Sequence, residues 1–173
     1  RADGSRTAGI ALLAVALALL DQGSKWLVVR ELQPGRPIPV IAGLLSLTRV
    51  HNSGTAFGLF HRQQFLFILL SLATVAALVV LYRRLLSQGA LVRWSAGLIL
   101  GGAIGNLVDR VFRGAVVDFV DVFLVLRGEE YHWPAFNLAD SAICVGVGLL
   151  LITVLIRKDK HRVPGSTVQR FNG

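Results

Sequence analysis

Four apolar runs divide the chain, at residues 8–29, 65–82, 94–112 and 138–156, and each approaches the ~20 residues that a helix needs to cross the hydrocarbon core of a bilayer. We expect four transmembrane helices. Between the first two runs the pattern changes: Pro34, Gly35, Pro37 and Pro39 interrupt any helix, and Leu45-Ser46-Leu47-Thr48 alternates as a half-buried strand does. Residues 38–41 and 45–50 are therefore expected to form a short hairpin or small sheet outside the bilayer, within a β region of about 33–60. Its open edge would suit an extended peptide. Residues 51–58 follow as a shaped loop in which Gly54 and Gly58 permit unusual backbone angles and Ser53 is a loop residue. The second run, interrupted only by Ser71 and Thr74, reads as scaffold. In the third run Gly97, Gly101 and Gly105 recur every four residues, and Ala139, Ala142, Gly146 and Gly148 stud the fourth. Small residues at such spacing let helices approach closely, so these two should pack together with their outer ends adjacent. Residues 119–126 form either a short strand or an interfacial helix, and 127–132 a polar loop.

Polar residues gather at one end of these runs. Asn106, Asp109 and Arg110 stand at i, i+3 and i+4 and share a helical face; Asn137 and Asp140 open the fourth run, with Asp118 in between. A charge at mid-membrane costs roughly 2.5 to 3.5 kcal/mol on insertion scales, so such a cluster belongs at the interface, in pairs, or in chemistry. In the first run Asp21 and Lys25 stand at i and i+4 with the acid first, the order that favours a pair on one face. Either they terminate the helix as an ion pair, with Lys25 snorkelling to the interface beside Trp26, or they take a direct part in function.

Composition agrees with one membrane domain over residues 1–173: the chain is 54% hydrophobic and 16% charged, with a mean hydropathy of +0.63. The net charge of +8 maps onto topology. Arg1, Arg6, Arg83, Arg84, Arg93, Arg157, Lys158, Lys160, Arg162 and Arg170 share a side with only Asp3 and Asp159, whereas cations and acids balance on the other side. By the positive-inside rule both termini and the 82–93 loop face the cytoplasm, 157–173 is a basic cytoplasmic tail, and the polar cluster is outside. No groove-reading or aromatic-interleaved motif accompanies the basic residues, so no nucleic-acid partner is expected. The first run lacks a small-residue cleavage site and is expected to be a retained helix, with the start of the chain trimmed, since it contains no Met. Cys144 stands alone, which rules out an intramolecular disulfide; it is expected as a small residue in a helix interface. His51 and His132 belong to no ligand motif, and neither metal nor cofactor is expected.

Asp118 and Asp140 are the best candidates for a cooperating pair, with Asp21, Asp109 and Asp121 competing. Two carboxylates at close range cannot both ionise, so they share one proton and titrate as a unit. One then draws a proton from water while the other hydrogen-bonds the carbonyl under attack, as in an aspartic protease. Two other classes draw on the same residues. A proton-coupled transporter would string Asp21, Lys25, Asp109 and Asp140 into a relay, although such paths reach the midplane. A metal-dependent lipid-headgroup enzyme would use Asp109, Asp118 and Asp140 as oxygen ligands.

Five ordered blocks then carry a resemblance: Asp21-Gln22-Gly23-Ser24-Lys25, Asn52-Ser53-Gly54-Thr55-Ala56-Phe57, the stretch from Gly101 to Arg110 that ends Gly105-Asn106-Leu107-Val108-Asp109-Arg110, Val116-Val117-Asp118-Phe119, and Phe136-Asn137-Leu138-Ala139-Asp140-Ser141. From the first helix to the fourth, the chain resembles the bacterial lipoprotein signal peptidases, or type II signal peptidases. The resemblance implies an α-helical integral membrane protein of four transmembrane helices, with a small extracytoplasmic β-sheet, or cradle, after the first. It implies Asp118 and Asp140 as the catalytic dyad. Asn52, Asn106, Asp109, Arg110 and Asn137 would shape the site, and Asp21 and Lys25 are counted with them. The implied substrate is a prolipoprotein bearing diacylglycerol on a cysteine, cut just before that cysteine at the outer leaflet of the bacterial cytoplasmic (inner) membrane. The protein would act as a monomer among membrane lipids, and the family's cyclic peptide inhibitor globomycin is expected to compete with substrate.

Overall fold

The computed structural model describes residues 2–53 and 61–160. Every apolar run becomes a helix, and most extend past the run that predicted them: α1 (Ala2–Glu31), α2 (His61–Leu86), α3 (Ala90–Phe112) and α4 (Leu138–Lys160). Thr7–Glu31, Ala90–Phe112 and Leu138–Ile156 are long and apolar enough to cross a membrane, whereas the apolar part of α2, Phe65–Leu81, is shorter. Burial is inverted relative to a soluble domain. Leu12, Val80 and Leu155 on the helix surfaces are 62 to 79% exposed, while Asp21, Lys25, Asp109 and Asn137 are wholly buried. Such a surface suits lipid as solvent, and such an interior requires every charge to be paired.

Helix α3 lies at the centre, packed against α1, α2 and α4, while α2 and α4 do not meet among the described residues. A cleft floored by α3 therefore separates them. The glycine stripe Gly97, Gly101 and Gly105 faces mainly α1, with Gly105 also reaching α4, where its Cβ would stand 3.4 Å from that of Ala139. A Cβ on Gly101 would stand 2.8 Å from the carbonyl oxygen of Ala14, and one on Gly105 would stand 2.6 Å from Oδ2 of Asp21. The α4 contact is made one residue on, at Gly102, where a Cβ would lie 2.5 Å from the carbonyl oxygen of Ala139. Each residue turns the helix by about 100°, so neighbouring glycines serve different neighbours. Ala139, Ala142 and Gly146 are buried as expected, but Gly148 meets nothing and Cys144 is exposed on α4 rather than held in an interface.

The β region takes the small-sheet alternative and draws in strands from residues beyond 60. Strands β1 (Ile38–Ile41), β2 (Leu45–Asn52), β3 (Val116–Leu126) and β4 (Glu129–His132) form one antiparallel sheet in the order β1-β2-β3-β4. Residues 119–126 thus take the strand alternative, and the polar loop expected at 127–132 is a tight turn followed by a strand. That turn has two positive-φ residues, Arg127 (φ 55°) and Gly128 (φ 86°), the arrangement that matches the twist of paired strands. The expected open edge is blunted, because Pro39 in edge strand β1 has no N–H to offer a partner. Of the shaped loop expected at 51–58, His51 and Asn52 instead end strand β2, paired with Val117 and Val116, and residues 54–58 lie outside the described residues.

Two devices weld sheet to helices. Leu47 pairs with Val120 and Val50 with Asp118, so β2 carries an extra residue and bulges around Thr48-Arg49. The Arg49 guanidinium donates to the carbonyl of Val29 at 2.8 Å, satisfying an acceptor in the last turn of α1. Beneath it, Val28, Leu32 and Val117 form a small dry cluster.

Substituting Gly102→Ala should destabilise the protein by about 1–3 kcal/mol, the usual cost of overpacking. Gly148→Ala should leave the melting temperature in detergent unchanged or slightly raised. Equal effects of the two would show that α3 and α4 do not pack through Gly102.

Candidate active site

The polar residues converge where α1, α3, α4 and β3 meet. Lys25 does not snorkel; it turns inward and is fully buried, while neighbouring Trp26 is exposed beneath the guanidinium of Arg30, 5.3 Å from its ring. The Lys25 ammonium donates to Asp21 Oδ2 at 2.8 Å, Asp109 Oδ2 at 2.8 Å and Asn106 Oδ1 at 3.0 Å. Asp21 accepts in addition the backbone N–H of Ala139 at 3.0 Å, in the first turn of α4, where helix donors lack internal partners. Asp109 accepts the backbone N–H of Val117 at 3.2 Å, the amide of Gln22 at 3.1 Å and the guanidinium of Arg113. One ionic network thereby ties three helices to β3.

Asp118, 1% exposed, accepts from the Asn52 amide at 2.9 Å on one oxygen and from the Asn137 amide at 2.7 Å on the other. Asp140 accepts from the Asn106 amide at 2.7 Å. Asn137 precedes α4, and its side-chain oxygen accepts the N–H of Asp140 at 2.9 Å, while Asp140 Oδ2 accepts the N–H of Asn137 at 3.3 Å. This is a capping box with Asn and Asp in the two roles. Asn137 therefore holds both acids, one through its amide and the other through the cap. Burial pushes Asp118 up to about 6, opposed by the hydrogen bond from Asn52 and reinforced by the charge of Asp140.

The other acids are drawn away. Asp109 faces the cations of the network, and Asp121 is held in the sheet by Ser46 at 3.0 Å and His132 at 2.9 Å. Donating a hydrogen bond to Asp121 raises the pKa of exposed His132. Among the described residues, no group of three or more His, Cys, Asp or Glu gathers as a metal-holding cluster. Asp109 and Arg110 diverge although adjacent: Arg110 turns toward α2, its guanidinium 5.2 Å from the Phe67 ring centroid and donating to the carbonyl of Asn106 at 3.3 Å. It lines a cavity of about 230 Å³ in the cleft between α2 and α4, together with Asn106, Asp140, Phe67, Ser71 and Thr74. Ser71 and Thr74, read from sequence as interruptions in a scaffold, thus border the site. Sequence reasoning also passed over Gln22 and Arg113. The i and i+4 spacing of Asp109 and Arg113 was the available signal for the latter.

The signal peptidase (SPase) II family matches residues 13–156. A lipoprotein signal peptidase of Halalkalibacterium halodurans is 42% identical over 144 residues, 83% of this chain and 90% of that protein. Lipoprotein signal peptidases of Geobacillus kaustophilus and Geobacillus thermodenitrificans are 46% and 47% identical over 81% and 82% of this chain, and 88% and 86% of their own lengths. A bacterial membrane enzyme solved by the in meso method at 2.3 Å superimposes with a TM-score of 0.74 at 29% identity, covering 93% of this chain and 94% of that one. A second, at 1.9 Å, gives a TM-score of 0.74 at 31% identity, covering 85% and 92%.

The raised Asp118 has a thermodynamic consequence. The folded protein keeps that proton to about pH 6, whereas the unfolded chain releases it near 3.8, so folding loses stability as pH rises through that window. Asp118→Asn removes the buried charge and should stabilise the protein at pH 8 by about 1–3 kcal/mol, seen as a raised melting temperature. A variant less stable than wild type at pH 8 would contradict this.

Proposed function

The chain belongs to the signal peptidase II family, and from that premise we propose that it is an intramembrane aspartic endopeptidase that cuts prolipoproteins just before their diacylglyceryl-modified cysteine. Signal peptidase II is a protease of lipoprotein processing; the catalytic assignment is our own reading. Asp118 and Asp140 form the dyad and hold one proton between them. One carboxylate takes a proton from water as its oxygen attacks the scissile carbonyl, while the protonated partner donates a hydrogen bond to the carbonyl oxygen. Collapse of the tetrahedral intermediate breaks the C–N bond, and a proton passes to the departing amine of the cysteine. Asn52, Asn106 and Asn137 hold the acids in place, Arg110 offsets negative charge at the cleft, and Asp21, Lys25 and Asp109 support the site from behind. The observation that carries the reading is Asn137, which engages Asp118 and Asp140 together beside a cleft open between α2 and α4.

That cleft suits lateral entry of a signal helix from lipid, with the diacyl chains remaining in the bilayer. In this reading α2 spans the membrane as a fourth helix, the sheet cradles the peptide outside, and the termini are cytoplasmic in the bacterial inner membrane. The protein works as a monomer, and globomycin competes with substrate for the cleft.

The test is cleavage of a diacylglyceryl prolipoprotein by purified protein in detergent with EDTA. Wild type should cut before the lipidated cysteine, and folded Asp118→Asn and Asp140→Asn should each lose at least about 10²-fold in rate, the low end for a general acid or base. The wild-type rate should fall as pH rises through about 6, where Asp118 gives up its proton. Undiminished cleavage by both variants, or a rate flat through that range, would reject the dyad.

A further inference from the structure

Lys25 occupies an unusual position beside the two acids. It is fully buried, and an ammonium has three N–H donors and no acceptor. All three donors are used, on Asp21, Asp109 and Asn106. None remains for a substrate or a water, so whatever Lys25 contributes to the reaction passes through a neighbour.

Asn106 is that neighbour. Its side-chain oxygen accepts from Lys25 at 3.0 Å and from the Asn137 amide at 3.3 Å, and its amide donates to Asp140 at 2.7 Å. An asparagine amide ordinarily has two orientations that differ little in shape. Here a flip would set its N–H bonds against the ammonium and the Asn137 amide, and its oxygen against the Asp140 carboxylate. Every one of these contacts would turn repulsive. Because the ammonium can only donate, the atom facing it must be the oxygen, and the N–H must face Asp140.

We infer that Lys25 is the positioning residue of the site: by permitting only one orientation of the Asn106 amide, it directs an N–H donor at Asp140 and holds that carboxylate in place for the reaction. This rests on the reading of Asp118 and Asp140 as the dyad. Among the described residues, the charged groups facing the pair are Lys25 from α1, Asp109 and Arg110 from α3, and the two acids themselves from β3 and α4; Asn52 and Asn137 face it as neutral donors. Asp21 and Asp109 answer Lys25, with Arg113 joined to Asp109. Arg110 lies within electrostatic reach of Asp140 and Asp118 as well as Asp109. The positive charge of Lys25 also lowers the pKa of Asp118, so its removal should let Asp118 keep its proton to higher pH.

The test measures kcat, KM and the pH profile on the diacylglyceryl prolipoprotein for three forms. These are Lys25→Met/Asp109→Asn, which removes the ammonium together with one counter-ion, Asn106→Leu, and the combination of all three substitutions. The double variant should lose about 10²-fold in kcat, the scale of a misplaced reacting group, with KM within about twofold. Adding the pair of substitutions to Asn106→Leu should cost no further kcat. A folded double variant with wild-type kcat would overturn the inference, as would losses that multiply in the triple variant. If the double variant does not fold, Asn106→Asp serves instead: it gives Lys25 another carboxylate partner but removes the donor to Asp140. It should fold with kcat reduced about 10²-fold, and a retained kcat would overturn the inference. Activity retained by Asp118→Asn and Asp140→Asn would instead overturn the dyad, a failure distinct from the first.

Discussion

A protonated amine sealed from water must find a partner for each of its three N–H bonds, and most of the site is arranged around meeting that demand for Lys25. Asp21 supplies one acceptor from its own helix, and Asp109 and Asn106 supply two from α3. Asp21 can reach that place only because Gly105 has no side chain, since a Cβ there would lie 2.6 Å from its carboxylate. Breaking such a pair by removing one member costs about 3–5 kcal/mol, because the remaining charge stays buried. The same carboxylates then bind the N–H of Ala139 and of Val117, so the first turn of α4 and the start of β3 are placed by the groups that satisfy the lysine.

From that placement the division of the site follows. Helix α3 sends Asp109 toward the cations behind it, Asn106 toward Asp140, and Arg110 to the cleft beside α2. Ion pairing and packing occupy one side of the helix, and the cavity bordered by Asp140 opens on the other. Asp118 is brought in by a strand whose neighbour contributes Asn52, so sheet and helices each deliver one carboxyl and one amide donor. Burial of Asp118 is unfavourable for its charged form, and it persists because the sheet is fastened to α1 through Arg49 and the dry cluster of Val28, Leu32 and Val117.

Helices were legible because apolar runs of bilayer length admit few other structures. The polar blocks at the ends of the third and fourth runs likewise marked the site, and Asn137 and Asp140 carry the spacing of a capping box in plain view. Other features depend on rotation and distance that spacing does not encode. A glycine stripe every four residues announces close packing without naming the partner, which is why Gly101 faces α1 while Gly102 faces α4. An inward lysine and a snorkelling lysine look alike in sequence. What decides between them is Asp109 and Asn106, far along the chain. Strand β4 was hidden because its turn is Arg127-Gly128, and an arginine at positive φ lacks the Asn-Gly or Asp-Gly signature of such turns. Asp118 and Asp140 already stood out as the best pair on paper with Asp109 competing, and the cations around Asp109 set it apart from them.

The account stands on water being the nucleophile, activated directly by two carboxyl groups with no covalent intermediate. Cleavage of a diacylglyceryl prolipoprotein in the presence of hydroxylamine tests this most directly, with mass analysis of the released signal peptide. The account predicts a free C-terminal carboxylate alone, carrying one oxygen from solvent when the reaction is run in ¹⁸O water. A hydroxamate at that terminus, or a trapped acyl-enzyme on a residue such as Ser53, would contradict it.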